Sequence, residues 1–262
     1  MPRANRHYIP GYVWHITHRC HKKEFLLKFD KDRRLWLQWL FEAKKRYGLS
    51  VLNFTVTSNH IHLLVRDNGE GVIPQSMQLI AGKLGQEYNR RKNRKGAYWE
   101  DRYHATAVQT DNHLMRCMVY IDMNMVRAGV VKHPQEWPYG GYAEIQSPRQ
   151  RYALLDNEGL KEILNFKTIE ELAEAYRGWV DDTLIKGNHK RDGKWTESIA
   201  VGSELFVNAT KEKLGIKAKG RDVFGTDGSY ELREDPGHYK QLFEHEKADL
   251  SPENAYYWSD RF

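Results

Sequence analysis

The sequence predicts an α+β fold: an antiparallel β-sheet flanked by helices, followed by a mostly helical C-terminal extension. Three observations predict it. Short segments rich in β-branched and aromatic residues recur between helical stretches, in the order β-α-β-β-α-β(β)-α. Two of them, Val51 to Thr57 and the strand that follows Ser58-Asn59, meet across a tight turn and so form a hairpin. Beyond residue 150 helical spacing replaces strand alternation.

The elements follow in order. Tyr12-Val13-Trp14-His15-Ile16-Thr17-His18 reads as a first strand. A helix runs from about Lys31 to Tyr47, with Asp30 as N-cap and Gly48 as the left-handed C-terminal residue. Leu35, Trp36, Trp39, Leu40 and Ala43 give it an apolar stripe. After the hairpin, Gly69 to Gly71 is a loop and Pro74 suits the first turn of a helix reaching Arg91. Asn93 to Gly96 is a basic turn. Tyr98 to Gln109 holds strand material around Glu100-Asp101-Arg102. A further helix starts at Asp111 or Asn112, reaches Arg127 and ends at Gly129. The helices are expected mainly on one face of the sheet.

Gly140-Gly141 and Pro148 place a boundary near residue 150. This gives a first domain over 1–150 and a helical accessory extension, partly irregular, over 151–262. In the latter, Thr168-Ile169-Glu170-Glu171 has capping-box form, and Ser198 to Leu214 reads as one or two short helices. From Arg221 onward there is little periodicity, although Phe224, Tyr230, Tyr239, Phe243, Tyr256, Tyr257 and Trp258 argue against a wholly unstructured tail.

Composition narrows the function. The 262 residues carry a net charge of +6, and 40% are hydrophobic. No apolar run is long enough to span a bilayer, and none follows the basic Met1 to Arg6 as in a secretory signal, so no membrane partner and a cytoplasmic location are expected. Cys20 and Cys117 read as reduced thiols; no CxxC supports a zinc site at Cys20-His21. The positive charge is concentrated at Lys83, Arg90, Arg91, Lys92, Arg94, Lys95 and Arg102, interleaved with Tyr88, Tyr98, Trp99 and Tyr103. Cations suit phosphate and rings suit unstacked bases. The same stretch also fits a solvated helix face with its aromatics serving the core.

The chemistry centres on His60-Ile61-His62. Alternate residues of a strand share a face, so two imidazoles stand side by side, half of a divalent-metal site. Tyr120 and Asn124 are one helical turn apart and project together. Asn124 can complete the ligand set while Tyr120 reaches the same phosphate as nucleophile. Mg²⁺ or Mn²⁺ would neutralise phosphate charge there. Each residue alone has an ordinary structural explanation; their joint appearance in a basic chain points to phosphodiester chemistry. Tyr88 is the rival nucleophile, without an amide one turn away. His15 and His18 are further candidates on opposite sides of their strand, with His18 expected at the surface.

These residues resemble the HUH-superfamily single-tyrosine transposases, and within them the REP-associated tyrosine transposases. The resemblance rests on Arg6-His7-Tyr8, on Asn59-His60-Ile61-His62 and on Tyr98-Trp99-Glu100-Asp101-Arg102-Tyr103. It extends to Tyr120-Ile121-Asp122-Met123-Asn124 and to Trp137-Pro138-Tyr139-Gly140-Gly141-Tyr142, covering roughly residues 5 to 145. Met125 and Ser58 stand where relatives often carry proline. The resemblance implies an HUH/RRM-like sandwich, His60, His62 and Asn124 as ligands of Mg²⁺ or Mn²⁺, and Tyr120 as nucleophile. It implies cleavage and rejoining of single-stranded or hairpin DNA through a 5′-phosphotyrosine. Arg3, Arg6, Lys83, Arg90, Arg91, Arg94 and Arg102 are the candidate phosphate contacts, with Trp99 or Tyr103 for base stacking; Arg3 and Arg6 form either a basic arm or a plain loose terminus. The chain is expected to act as a monomer or homodimer. Two other readings stand beside this one: a non-catalytic binder of structured nucleic acid, and a zinc hydrolase using His60, His62 and a cysteine.

Overall fold

The computed structural model describes residues 8–187, 190–226 and 228–234. Arg3, Arg6 and the tail aromatics Tyr239, Phe243, Tyr256, Tyr257 and Trp258 lie outside the described residues. Strand β1 (Val13–Arg19) opens the fold, and helix α1 (Asp30–Tyr47) follows. Gly48 ends the helix with φ 69°, its N–H donating to the Lys44 carbonyl at 2.9 Å. The expected cap differs: the helix begins on Asp30 itself, after Phe29, because the Asp30 carboxylate is taken by Arg34 and the Tyr139 hydroxyl.

Strands β2 (Ser50–Val56) and β3 (His60–Arg66) form the predicted hairpin. Thr57 Oγ1 closes its turn, accepting from the N–H groups of Asn59 and His60 at 3.3 and 3.1 Å. Helix α2 (Val72–Arg91) begins after Gly71. Strand β4 (His104–Val108) lies downstream of the place foreseen for it; Glu100, Asp101 and Arg102 form an exposed bend instead. Helix α3 (Asn112–Asp122) is capped by Asp111, which accepts the His113 N–H at 2.7 Å. The single helix expected to reach Arg127 is interrupted: Met123, at φ −68° and ψ −2°, separates it from α4 (Asn124–Arg127).

Helices α5 (Tyr142–Gln146), α6 (Asn157–Ile163) and α7 (Ile169–Lys186) come next, and the Thr168–Glu171 capping box forms as read. Helix α8 (Lys194–Glu197), strand β5 (Ala200–Gly202), helix α9 (Glu204–Leu214) and strands β6 (Arg221–Thr226) and β7 (Ser229–Glu234) complete the described chain. The strand within 198–214 is three residues long, too short for a period to register. The last hairpin had an available signal, the Asp227-Gly228 pair between its strands.

The strands form one sheet in the order β2-β3-β1-β4-β5-β7-β6. All pairings are antiparallel except β4 with β5. Three strands from beyond residue 150 thus continue the sheet begun before it. Helices cover both faces, not mainly one. Every residue of β2 is buried, so each face of that strand needs a cover. Phe54 packs near Trp36 of α1, and Trp99 donates to the Ala81 carbonyl of α2 at 3.1 Å on that same face. On the opposite face Asn53 donates to the Met118 carbonyl of α3 at 3.4 Å and to Asp122 at 3.2 Å, and the Tyr176 hydroxyl of α7 also reaches Asp122.

Candidate active site

Register decides which side chains meet. Pairing of β1 with β3 sets Thr17 opposite His62 and Arg19 opposite His60, while β1 with β4 sets Thr17 opposite His104. Directly opposed residues share a face. His60, His62, His15, Arg19 and His104 therefore stand together on the side covered by α3 and α8. The apolar alternates Ile61, Leu63 and Val65 turn to the α1–α2 side.

The predicted quartet converges. The rings of His60 and His62 are 4.9 Å apart at their centroids. The Asn124 Nδ2 lies 2.8 Å from His62 Nε2. The Tyr120 ring is 5.9 Å from His62 and 6.2 Å from His15, edge-on to both. Both Tyr120 and Asn124 line, with the histidine pair, a cleft of about 1050 Å³. The break at Met123 leaves them on the same side, one turn apart.

The donor set fits a divalent cation. His60 Nδ1 sits 2.7 Å from Asn59 Oδ1, which can only accept, so this ring carries its proton on Nδ1 and turns a bare Nε2 outward. Burial pushes the His60 pKa down to about 4, helped by Arg19, Arg127 and Arg191. Burial likewise holds His62 well below its ordinary value, with His60 and His15 adding to it. Neutral imidazoles are the ligating form. Asn124 contributes an amide, which has both a donor and an acceptor at its end. Among the described residues no group of three or more His, Cys, Asp or Glu offers an alternative metal site. Cys20 and Cys117 are buried and free, neither lines the cleft, and burial pushes the Cys20 thiol up to about 12.

Tyr120 is 8% exposed, and burial raises its pKa, while Arg127 and Arg191 work against that rise. Its ring faces Trp195 at 6.3 Å. Cations surround the cleft: Arg19, Lys23, Arg102, Arg127 and Arg191 all line it. Of these only Arg102 was singled out from the sequence. Arg191 and Trp195 come from beyond residue 150, and only a long-range contact could have revealed them.

The other predicted residues lie elsewhere. Lys83, Arg90, Arg91 and Arg94 sit on or just after α2, on the opposite side of the sheet. Lys83 lies 5.7 Å from the Trp39 ring; Arg91 pairs with the fully buried Asp32; Arg94 pairs with Glu24 at 3.5 Å. Tyr103 is buried in the core at 6% exposure, and half-buried Trp99 has one face stacked on His18 at 3.9 Å. His18, expected at the surface, is buried and 2.8 Å from the Asp101 carbonyl. Tyr88 packs on Tyr98 with centroids 5.1 Å apart, far from the histidines and on the wrong face.

Three comparisons bear on this arrangement. No curated protein matches the chain significantly. A solved structure of a REP-associated tyrosine transposase bound to a REP hairpin is similar at 19% identity and TM-score 0.48, covering 56% of this chain and 87% of that one. A putative transposase from Deinococcus radiodurans R1 is similar at 17% identity and TM-score 0.33, covering 48% of this chain and 90% of that one. A family model described as "Transposase IS200 like" matches residues 9–124, a span that holds His60, His62, Tyr120 and Asn124. The sequence motifs and the family model thus agree in what they resemble: over residues 9–124 the chain is similar to IS200-like transposases.

Proposed function

We propose that this protein is a metal-dependent single-strand DNA endonuclease and strand transferase. It acts beside a DNA hairpin of the repetitive extragenic palindrome type, through a 5′-phosphotyrosine. The observation that carries the reading is the meeting of Tyr120, His62 and Asn124 in one cation-rich cleft: the Tyr120 ring is 5.9 Å from His62, and the Asn124 amide is 2.8 Å from His62 Nε2. Residues 1–150 serve as the catalytic domain and 151–262 as an accessory extension, acting in a monomer or homodimer.

His60, His62 and Asn124 hold the cation, Mg²⁺ or Mn²⁺. When bound, it supplies Lewis acidity at the phosphate oxygens and the leaving group. The rest falls to the chain. Arg127 and Arg191 stabilise the phenolate of Tyr120 against its burial. That oxygen bonds to phosphorus as the bond to the 3′-oxygen breaks, leaving the 5′-phosphate on Tyr120, and the departing 3′-oxygen takes a proton from water to become a free 3′-OH. Rejoining reverses the step with another 3′-OH. Arg19 and Arg102, at the cleft mouth, suit backbone phosphate.

The test is incubation of labelled hairpin DNA with protein and Mg²⁺ or Mn²⁺, resolved on a denaturing gel. A covalent protein–DNA band, lost in Tyr120→Phe while hairpin binding persists, is the expected result. Binding by the wild-type protein with no covalent band under any divalent metal would instead favour a non-catalytic nucleic-acid binder.

A further inference from the structure

His15 lies behind His62, outside the ligand set. It is fully buried at the centre of β1. Its Nδ1 is 2.8 Å from the Trp195 carbonyl, 180 residues away, and its Nε2 is 2.9 Å from His62 Nδ1. The rings of His15 and His62 are nearly parallel, 11° apart. Two imidazoles joined nitrogen to nitrogen leave a choice of which one donates.

The carbonyl makes that choice. A carbonyl oxygen only accepts, so His15 must carry hydrogen on Nδ1. The ring is buried, with no carboxylate against it among the described residues, hence neutral, and its Nε2 is then a bare lone pair. That lone pair can only accept from His62 Nδ1–H. His62 in turn is left with a bare Nε2, the nitrogen that faces Asn124 at 2.8 Å. The anchor itself is fixed. Thr106 Oγ1 donates to the Ser198 carbonyl at 2.6 Å, and His104 Nε2 lies 2.9 Å from the same oxygen. Trp195, itself part of α8, is buried at 2% exposure. Side chains of β1 and β4 thus grip both ends of this short segment.

We propose that His15 is a positioning residue: anchored by the Trp195 carbonyl, it locks His62 in the Nδ1–H tautomer and presents the His62 Nε2 lone pair to the divalent cation. The C-terminal extension thereby supplies part of the site through its backbone. The proposal rests on the metal-site reading above and goes beyond it, since neither the His-x-His motif nor the tyrosine helix contains His15 or Trp195. Groups that orient a ligating histidine through its second nitrogen affect metal affinity by about 10- to 100-fold.

The test uses the full chain. In the metal-free protein, long-range ¹H–¹⁵N spectra of the ring nitrogens report each histidine's tautomer, with His62 assigned by its loss in His62→Gln. The expected result is one His62 species with hydrogen on Nδ1. In His15→Phe, which keeps a ring and removes the acceptor, His62 is expected to mix tautomers and Mn²⁺ binding to weaken about 10- to 100-fold. His15→Gln, which keeps an acceptor, should bind within a few-fold of wild type. Hydrogen on His62 Nε2 in the wild type overturns the proposal without any variant. An unchanged His62 tautomer and Mn²⁺ affinity in a folded His15→Phe protein overturns it too. Failure of the wild type to bind Mn²⁺, with the tautomer as expected, overturns the metal reading instead.

Discussion

The Arg127 guanidinium lies over the Tyr120 ring, 4.2 Å from its centroid, and donates to the Tyr120 carbonyl at 2.8 Å. A residue of α4 thus clamps a residue of α3 across the interruption at Met123. The contact does two things at once. It holds the two short helices in line, so that Tyr120 and Asn124 keep a common direction. It also sets a positive charge against a phenol that burial makes reluctant to ionise.

Replacing Arg127 by Met keeps the length of the side chain and removes the charge. The Tyr120 pKa, already raised by burial, should rise further. Each unit costs about tenfold in phenolate at fixed pH. DNA nicking near neutral pH is expected to fall about tenfold or more, and the pH–rate profile to move to higher pH. A profile measured from pH 6 to 10 that stays in place would remove this role.

Arg90 and Arg91 are neighbours with different tasks. Arg91 pairs with Asp32, which is fully buried, and Arg90 is exposed. Arg91→Ala leaves an uncompensated buried carboxylate and should lower unfolding stability by about 3 kcal/mol. Arg90→Ala should change stability by less than about 0.5 kcal/mol. Urea melts of the two variants distinguish a structural ion pair from two interchangeable phosphate contacts.

Asp122 predicts a pH dependence of stability. Burial raises its pKa to about 7, against the lowering effect of Tyr176, Asn53 and Thr55. The folded state therefore keeps a proton that the unfolded chain gives up above about pH 4. The stabilisation is complete below that pH and is lost as pH rises toward 7. It levels off above. Asp122→Asn, which stays neutral, should flatten the slope between pH 4.5 and 7.5 in denaturant melts. A slope unchanged by the substitution counts against a protonated Asp122.

Dialysis against a chelator should abolish nicking while leaving hairpin binding measurable by gel shift. Mn²⁺ or Mg²⁺ should restore it. His60→Ala and His62→Ala proteins should bind DNA and fail to recover activity on metal addition. Full nicking after exhaustive chelation would refute the cation's part in the reaction.

Local features of this fold were legible because local physics fixes them. The hairpin around Ser58-Asn59, the left-handed Gly48 and the Thr168–Glu171 capping box each depend on residues a few positions apart. Tyr120 and Asn124 could be paired because helical spacing survives the Met123 break. What lay beyond reach is non-local. His15 meets Trp195 across 180 positions and His62 across 47. No periodicity encodes such a contact. The surroundings of Trp99 and Tyr103 are hidden for a related reason: composition shows a ring beside cations, and only packing shows that His18 covers one face of Trp99 and that the core takes in Tyr103.

The parallel join of β4 to β5 has a practical result. Ala107 N–H reaches the Ile199 carbonyl at 2.7 Å, and Gln109 N–H reaches the Val201 carbonyl at 3.1 Å. A recombinant fragment ending near Pro148 would lose both acceptors. It would expose a raw strand border lined by Ala105, Ala107 and Val108, a template for sticking to other copies. Anyone trimming this protein to its motif-bearing portion should expect inclusion bodies, and should keep at least the stretch through Gly202.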